Sequence, residues 1–344
     1  MNTASLITEG TTNGPRPSHK AIESTGTGSS IGFPRPPRSR WSVLRDNVRK
    51  HWPLYLFVLP AVTVSLIFDY LPLYGLQMAF KNYNFADGIT GSPWAARNGW
   101  HHFYRFITSM DFWPLLRNTI GISVYTLALA FPLPIFMALM FNQIKQKRIK
   151  RLIQTVTYMP HFISLVVLIG MVMLFLSPSS GMYGHIVRAM GGQPKNLMGD
   201  PNWFSTIYVL SHIWQNTGWN SIIYLAALSG VDLNLYEAAR IDGASRLRLI
   251  WHVDLPHLRP TIIMLLILSS GRLMQVGFEK VYLMQNLLNL PKSEVISTYV
   301  YTMGIINRNY SYSTAIGLFN TIINFGLLVT VNKISRRVSE NSLW

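Results

Sequence analysis

Four ionisable residues interrupt stretches that are otherwise apolar: Asp69, Arg272, Glu279 and Lys280. A charge held at depth in such a stretch is costly and faces protein or water, so each is a candidate contact for a polar solute. Arg272 lies deepest, while Glu279 and Lys280 approach the end of their stretch, where a long side chain can snorkel to the interface. Rings accompany amides at Trp214, Gln215, Asn216, Trp219, Asn220 and Tyr224, with Tyr299 and Tyr301 further on. Aromatic faces stack on the C–H face of a pyranose while amides hold its hydroxyls; the same rings also suit the aromatic belt of a membrane interface. Covalent chemistry has no comparable support. Cysteine is absent, which excludes disulfides, thiolate nucleophiles and Cys-ligated metals. His161, His185, His212, His252 and His257 lack metal-ligand spacing, so they read as structural and no metal site is expected. No nucleophile or acid/base pair stands at one depth, and no G-x-x-x-x-G-K-[ST] loop occurs to cradle a nucleotide phosphate. A transport or binding role without catalysis is therefore expected.

Membrane helices must position these residues. The 344 residues are 49% hydrophobic and only 13% charged, well below the charge of a soluble domain. Six segments are long and apolar enough to cross a hydrocarbon core, which takes roughly 20 helical residues. They fall near Leu54–Phe80, Leu115–Asn142, Leu152–Leu176, Phe204–Ser229, Pro260–Tyr282 and Ser313–Ile334. The expected fold is all-α and polytopic, with six transmembrane helices. The net charge of +16 sorts by membrane side. With the N-terminus inside, eight Lys or Arg precede the first span, five lie in Lys145–Arg151, four in Val231–Arg259 and three from Lys333 onward, leaving ten of thirty elsewhere. Basic residues held in short loops on one face set orientation, so both termini are expected in the cytoplasm. The charge then serves topology and contact with the lipid bilayer, and no nucleic acid is expected. Residues 1–50, rich in Gly, Ser, Thr and Pro, are expected to form a disordered basic tail without the apolar core of a signal peptide. At its end, residues 41–51 have the spacing of a helix lying on the inner membrane surface. Residues 52–344 form the expected transmembrane domain.

Between the fourth and fifth spans, residues 231–258 leave the apolar regime with too little Pro and Gly for an unstructured loop. Two short helices are expected. Asn234 is placed to cap the first, and Glu237 three residues later to close a capping box at the positive helix end. Ala238, Ala239 and Ala244 let a helix sit deep in a partner groove, and Gly243 supplies a bend without a Cβ. Ser245 is placed to cap the second helix, which Pro256 and Pro260 are expected to close before the fifth span. The spacing Glu237-Ala238-Ala239, Gly243, Val253-Asp254-Leu255-Pro256 resembles the EAA loop of importer-type ABC permeases, with Val253 where that family usually has Ile. The resemblance implies the type I importer (MetI-like) permease fold. It also implies a coupling loop that docks in a cleft of a separate ATPase through Glu237, Ala238, Ala239, Asp242, Gly243, Leu255 and Pro256. ATP and Mg would be bound by that partner, with no cofactor in this chain.

Further stretches narrow the resemblance. Pro72-Leu73-Tyr74-Gly75, Gly91-Ser92-Pro93-Trp94, Arg117-Asn118-Thr119, Phe131-Pro132-Leu133-Pro134 and Tyr158-Met159-Pro160-His161 are similar to the LplB-like branch of the maltose-type, carbohydrate-importing permeases. With the loop, the resemblance covers nearly everything from Trp52 to Trp344. It implies a bacterial inner-membrane subunit that pairs with a second, homologous permease, an ATPase dimer and an extracytoplasmic solute-binding protein. The substrate would be an oligo- or polysaccharide, moved by alternating access. A positive cavity around Arg272 would suit an acidic glycan such as alginate or another uronate polymer. Pro60, Pro72, Pro132, Pro134 and Pro160 are expected to bend their spans, which membrane helices tolerate where neighbours or a cavity satisfy the freed carbonyls. An ion-coupled secondary transporter is the alternative, and it requires intramembrane acidic pairs, of which the chain shows few.

Overall fold

The computed structural model describes residues 40–338, with side chains from 50 to 336. The tail expected to be disordered lies, up to residue 39, outside them. The chain divides into two compact units between Ser65 and Leu66. The first contains the helix Arg40–Ser65, broken at His51 (φ −118°, ψ 19°) and carrying Pro53 and Pro60. Pro53 removes a backbone donor just past the break, which explains why the helix kinks there.

The second unit is built from helices and turns, and the isolated bridge between Lys81 and Trp94 is the only β pairing among the described residues. Prolines divide its helices. Pro72 opens a 3-10 segment, Leu71–Phe80. Pro132 restarts the second span after Phe131, so that Phe112–Ala130 and Pro132–Asn142 follow one another as one 31-residue stretch. Pro160 lies in a 3-10 turn, beyond which the third segment bends by 99° between Lys147–Phe162 and Leu165–Phe175. Ser164 caps the new helix by accepting from the Val167 amide, which satisfies a donor the bend would leave bare.

At the centre runs Pro201–Leu228, capped by Asp200, whose carboxylate accepts from the Asn202 amide. It packs against the second span, the first half of the bent segment and the fifth span. By length and hydropathy, Lys50–Phe80, Phe112–Asn142, Arg246–Ser270 and Tyr310–Arg336 each suffice to cross a membrane, and the bent pair has the length and hydropathy of a fifth span when its two halves are counted together. The central helix is the remaining expected span. At 28 residues it is long enough, but Ser211, His212, Gln215, Asn216, Thr217, Asn220 and Ser221 lower its hydropathy. Ser211, Thr217 and Ser221 are buried in protein, which is where polar groups in a membrane helix are tolerated.

One boundary differs from expectation. The fifth span runs from Arg246 to Ser270, rather than from Pro260 to Tyr282, and is C-capped by Gly271. Neither Pro256 nor Pro260 closes the helix before it. Pro256 sits in the first turn of Leu255–Ser270, where its missing donor costs little, and a π turn at Ile250–Asp254 widens the backbone ahead of it. The second loop helix, Arg246–Leu249, is therefore continuous with the fifth span. Arg272, Glu279 and Lys280 lie beyond that span, in the turn after Gly271 and the short helix Phe278–Met284.

Candidate functional site

Local chemistry shapes the loop between the fourth and fifth spans. Its first helix, Leu233–Ile241, is capped by Asp232, whose carboxylate accepts from the Asn234 amide at 2.9 Å. Asn234, expected as the cap, is already inside the helix, and the third helical position belongs to Leu235, so no capping box forms. Glu237 is exposed, and its side chain makes no hydrogen bond among the described residues. The helix ends in a Schellman motif: the Ala244 amide donates to Ala239 O (2.9 Å), the Gly243 amide donates to Arg240 O (3.1 Å), and Gly243 adopts φ +73°. That left-handed turn is what glycine permits. Ser245 caps the next helix by accepting from Arg248 N. Ala238, Asp242 and Pro256 are exposed, whereas Ala239 and Leu255 are half-buried. Apolar side chains project around them, with Ile241 87% exposed and Leu233, Leu247 and Trp251 also open.

Behind this surface lies a polar cluster that sequence reasoning missed. Asp254 is fully buried. Its carboxylate accepts from the Tyr236 hydroxyl, from Asn142 Nδ2 at 3.2 Å and from Gln143 Nε2 at 3.0 Å. Asn142 Nδ2 also donates to the Tyr236 oxygen at 3.2 Å. Burial first, and then the bond to Asp254, push the Tyr236 hydroxyl up to about 12, so it remains a donor. Beneath the cluster, Ala138, Tyr224, Leu228, Val231, Ile250 and Leu258 form an apolar core against which Tyr236 and Val253 pack. The only signal in the sequence is a carboxylate flanked by Val253 and Leu255.

The second feature is a cavity of about 490 Å³ between the central helix, the second span and the turn after Gly271. Arg272 and Lys280 both line it, with Gln215, His212, Asn220, Ser123 and Gln275 and no carboxylate. Arg272 is exposed, whereas Lys280 is buried rather than snorkelling to an interface. The Lys280 amine donates to Tyr208 O at 3.1 Å and lies 4.8 Å from the Tyr208 ring centroid. That contact satisfies one of its three donors. A neighbouring cavity of about 450 Å³, lined by Trp219, Asn220 and Tyr224, shares Phe131 and Ser269 with it.

Several residues selected from sequence have structural work. Asn216 Oδ1 lies 3.1 Å from His161 Nδ1, and Trp219 stacks on the His161 ring at 4.7 Å with an interplanar angle of 5°. Gln215 donates to Ile163 O at 3.2 Å. These contacts brace the 99° bend from the central helix. Tyr224 belongs to the core beneath the loop as well as to the second cavity. Trp214 faces a separate apolar groove with Leu168 and Trp203. Tyr299, only 5% exposed, donates to Asp111 Oδ2 at 3.0 Å and packs in a core with Phe106 and Phe112. Trp214, Tyr299 and the exposed Glu279 line neither cavity. Asp69 lies in a π turn, Leu66–Tyr70.

Comparison with known proteins gives concordant matches. The family described as "Binding-protein-dependent transport system inner membrane component" matches residues 130–340. The polygalacturonan/rhamnogalacturonan transport system permease protein YteP of Bacillus subtilis (strain 168) is 39% identical over 291 residues, covering 85% of this chain and 90% of that protein. Protein LplB of the same organism is 40% identical over 296 residues, covering 86% and 92%. A crystal structure of a bacterial ABC transporter involved in the import of the acidic polysaccharide alginate contains a chain with a TM-score of 0.79 and 37% identity, matched over 86% of this chain and 99% of that one. A second, of the alginate transporter in complex with an alginate pentasaccharide-bound periplasmic protein, has a TM-score of 0.79 and 36% identity over 87% and 99%.

Proposed function

The chain belongs to the family of inner-membrane components of binding-protein-dependent transport systems, and from that premise we propose that it forms one half of the path of a bacterial ABC importer for carbohydrate polymers, acidic ones included. Its fold is the all-α, polytopic MetI-like permease fold. The observation that carries the acidic reading is the cavity that places Arg272 and Lys280 together with no carboxylate in its wall. A buried amine with donors to spare is stabilised by an anion. The cargo named for YteP, a polygalacturonan, and alginate, described as acidic, have the matching chemistry.

In this reading a second, homologous permease completes the path, and a solute-binding protein delivers the glycan from outside. An ATPase dimer holds ATP and Mg and receives the exposed surface of Leu233–Ile241 around Glu237, Ala238, Asp242 and Gly243. Both termini are cytoplasmic. The chain itself breaks no bond.

Lys280→Met and Arg272→Gln test the reading in the reconstituted complex. Each is expected to lower uptake of an acidic oligosaccharide about tenfold, equivalent to about 1.4 kcal/mol, while a neutral oligosaccharide of the same length is transported as before. Equal losses for both would remove the charge-reading role. Inactivating the phosphate loop of the partner ATPase, with ion gradients intact, is expected to abolish uptake; persistent uptake would favour an ion-coupled transporter.

A further inference from the structure

Asp254 occupies an unusual position for a carboxylate. It is fully buried at the foot of the fifth span, and no Lys or Arg pairs with it among the described residues. A buried charge without a counter-ion persists only where hydrogen bonds replace its lost water. Three side chains supply them, and they come from two separate elements. Tyr236 belongs to the exposed loop helix, while Asn142 and Gln143 sit at the inner end of the second span. Asn142 also bonds Tyr236, which closes the set.

Packing and polar bonding have different mechanical consequences here. The apolar core beneath the cluster is close-packed but held by non-directional forces, so a small shift within it breaks no specific bond. A carboxylate held from three sides cannot slide, because parting any donor leaves buried charge unsatisfied. The loop helix, the second span and the fifth span therefore share a joint at Asp254. Covalent continuity already ties the loop to the fifth span through Arg246–Leu249 and the π turn. The second span has no such continuity, and the Asp254 cluster supplies its polar tie to the loop.

We infer that Asp254 is a positioning residue which, with Tyr236, passes movement of the loop helix to the inner end of the second span, so that two spans respond to one docking event. The inference rests on the permease reading above. Pro132 and Phe131 lie ten or more residues up the same span, and Phe131 lines the cavity that holds Arg272 and Lys280. Displacement of the inner end at Asn142 thus leads along one helix to the cavity wall.

The test uses the assembled transporter with its ATPase and binding protein. The native chain has no cysteine, so Lys145→Cys and Asn234→Cys take paired spin labels without background from this chain, and the partner subunits are used in cysteine-free form. In the native complex the distance between labels is expected to be the same with and without trapped ATP. In Tyr236→Phe, which keeps the ring and removes one donor, the distance is expected to broaden when ATP binds, and glycan moved per ATP hydrolysed is expected to fall roughly fivefold. Asp254→Asn is expected to act in the same direction. A purely structural role would lower the amount of assembled complex and leave the ratio of transport to hydrolysis intact. A label distance that changes with ATP in the native complex would overturn the inference alone, as would an unaltered ratio in Tyr236→Phe. Absence of any ATP-dependent transport in the native complex would instead overturn the permease reading on which it rests.

Discussion

Replacing Gly243 with Asp is expected to leave the permease folded and inserted while lowering binding-protein-stimulated ATP hydrolysis and glycan uptake at least about tenfold, equivalent to about 1.4 kcal/mol of coupling. The reasoning separates what the chain feels from what its partner feels. Gly243 has φ +73°, and a Cβ built there meets nothing within 4 Å. The internal cost is therefore backbone strain alone, about 1–2 kcal/mol for an L-residue and least for Asn and Asp. The surrounding surface is exposed and mixed, with Ile241 two residues away and the charged Arg240 and Asp242 beside it, so an added carboxylate stands next to an existing one. A carboxylate placed on that bend must be desolvated when the loop enters a cleft, which is costly without a partner. Gly243→Asn is the control. It accepts the same backbone geometry without the charge and is expected to retain most of the stimulation. Full stimulation in Gly243→Asp would show that the bend does not meet the ATPase.

Gly218→Val is expected to abolish accumulation of folded permease, with a destabilisation of about 3 kcal/mol or more, the upper range for overpacking. The central helix passes so close to the bent segment that a Cβ on Gly218 would lie 2.1 Å from Thr157 O and 2.6 Å from Thr157 C. Both atoms are backbone, so no rotamer change relieves the clash. Close approach through a small residue is how membrane helices gain contact where lipid offers no hydrophobic driving force. The same face carries the contacts that brace the bend, His161 with Asn216 and Trp219, so a shift at Gly218 also displaces the residues flanking both cavities. Gly121→Ala, where nothing lies within 4 Å of the added Cβ, is expected to be tolerated. The measurement is the detergent-extracted, monodisperse fraction and its thermal midpoint; native behaviour of Gly218→Val would contradict the observed approach.

Much of the molecule is legible in the order of its residues. Apolar runs and proline positions specify the helices and most of their breaks, because hydropathy and the missing proline donor act within a few residues. Gly243 and Ser245 are readable for the same reason: a Schellman turn and a side-chain cap are closed within six residues. Where local rules compete, the reading slips. Asp232 rather than Asn234 caps the loop helix, because both are good caps and only the chain's entry angle decides between them. Pro256 looks like a terminator until the π turn before it absorbs the misfit.

The site itself divides along the same line. Residue types and spacing determine that the chain is a helical membrane permease with a polar two-helix loop ahead of its fifth span, since each of those features is written in contiguous sequence. Tertiary structure alone decides which polar side chains meet. It places Arg272 and Lys280 in the wall of one cavity, diverts Asn216 and Trp219 to support a bend, buries Tyr299 in a core, and joins Asp254 to Asn142 and Gln143 more than a hundred residues away. The physical reason is that a hydrogen bond or a shared cavity depends on distances set by the packing of whole helices, and no local pattern in the chain encodes those distances.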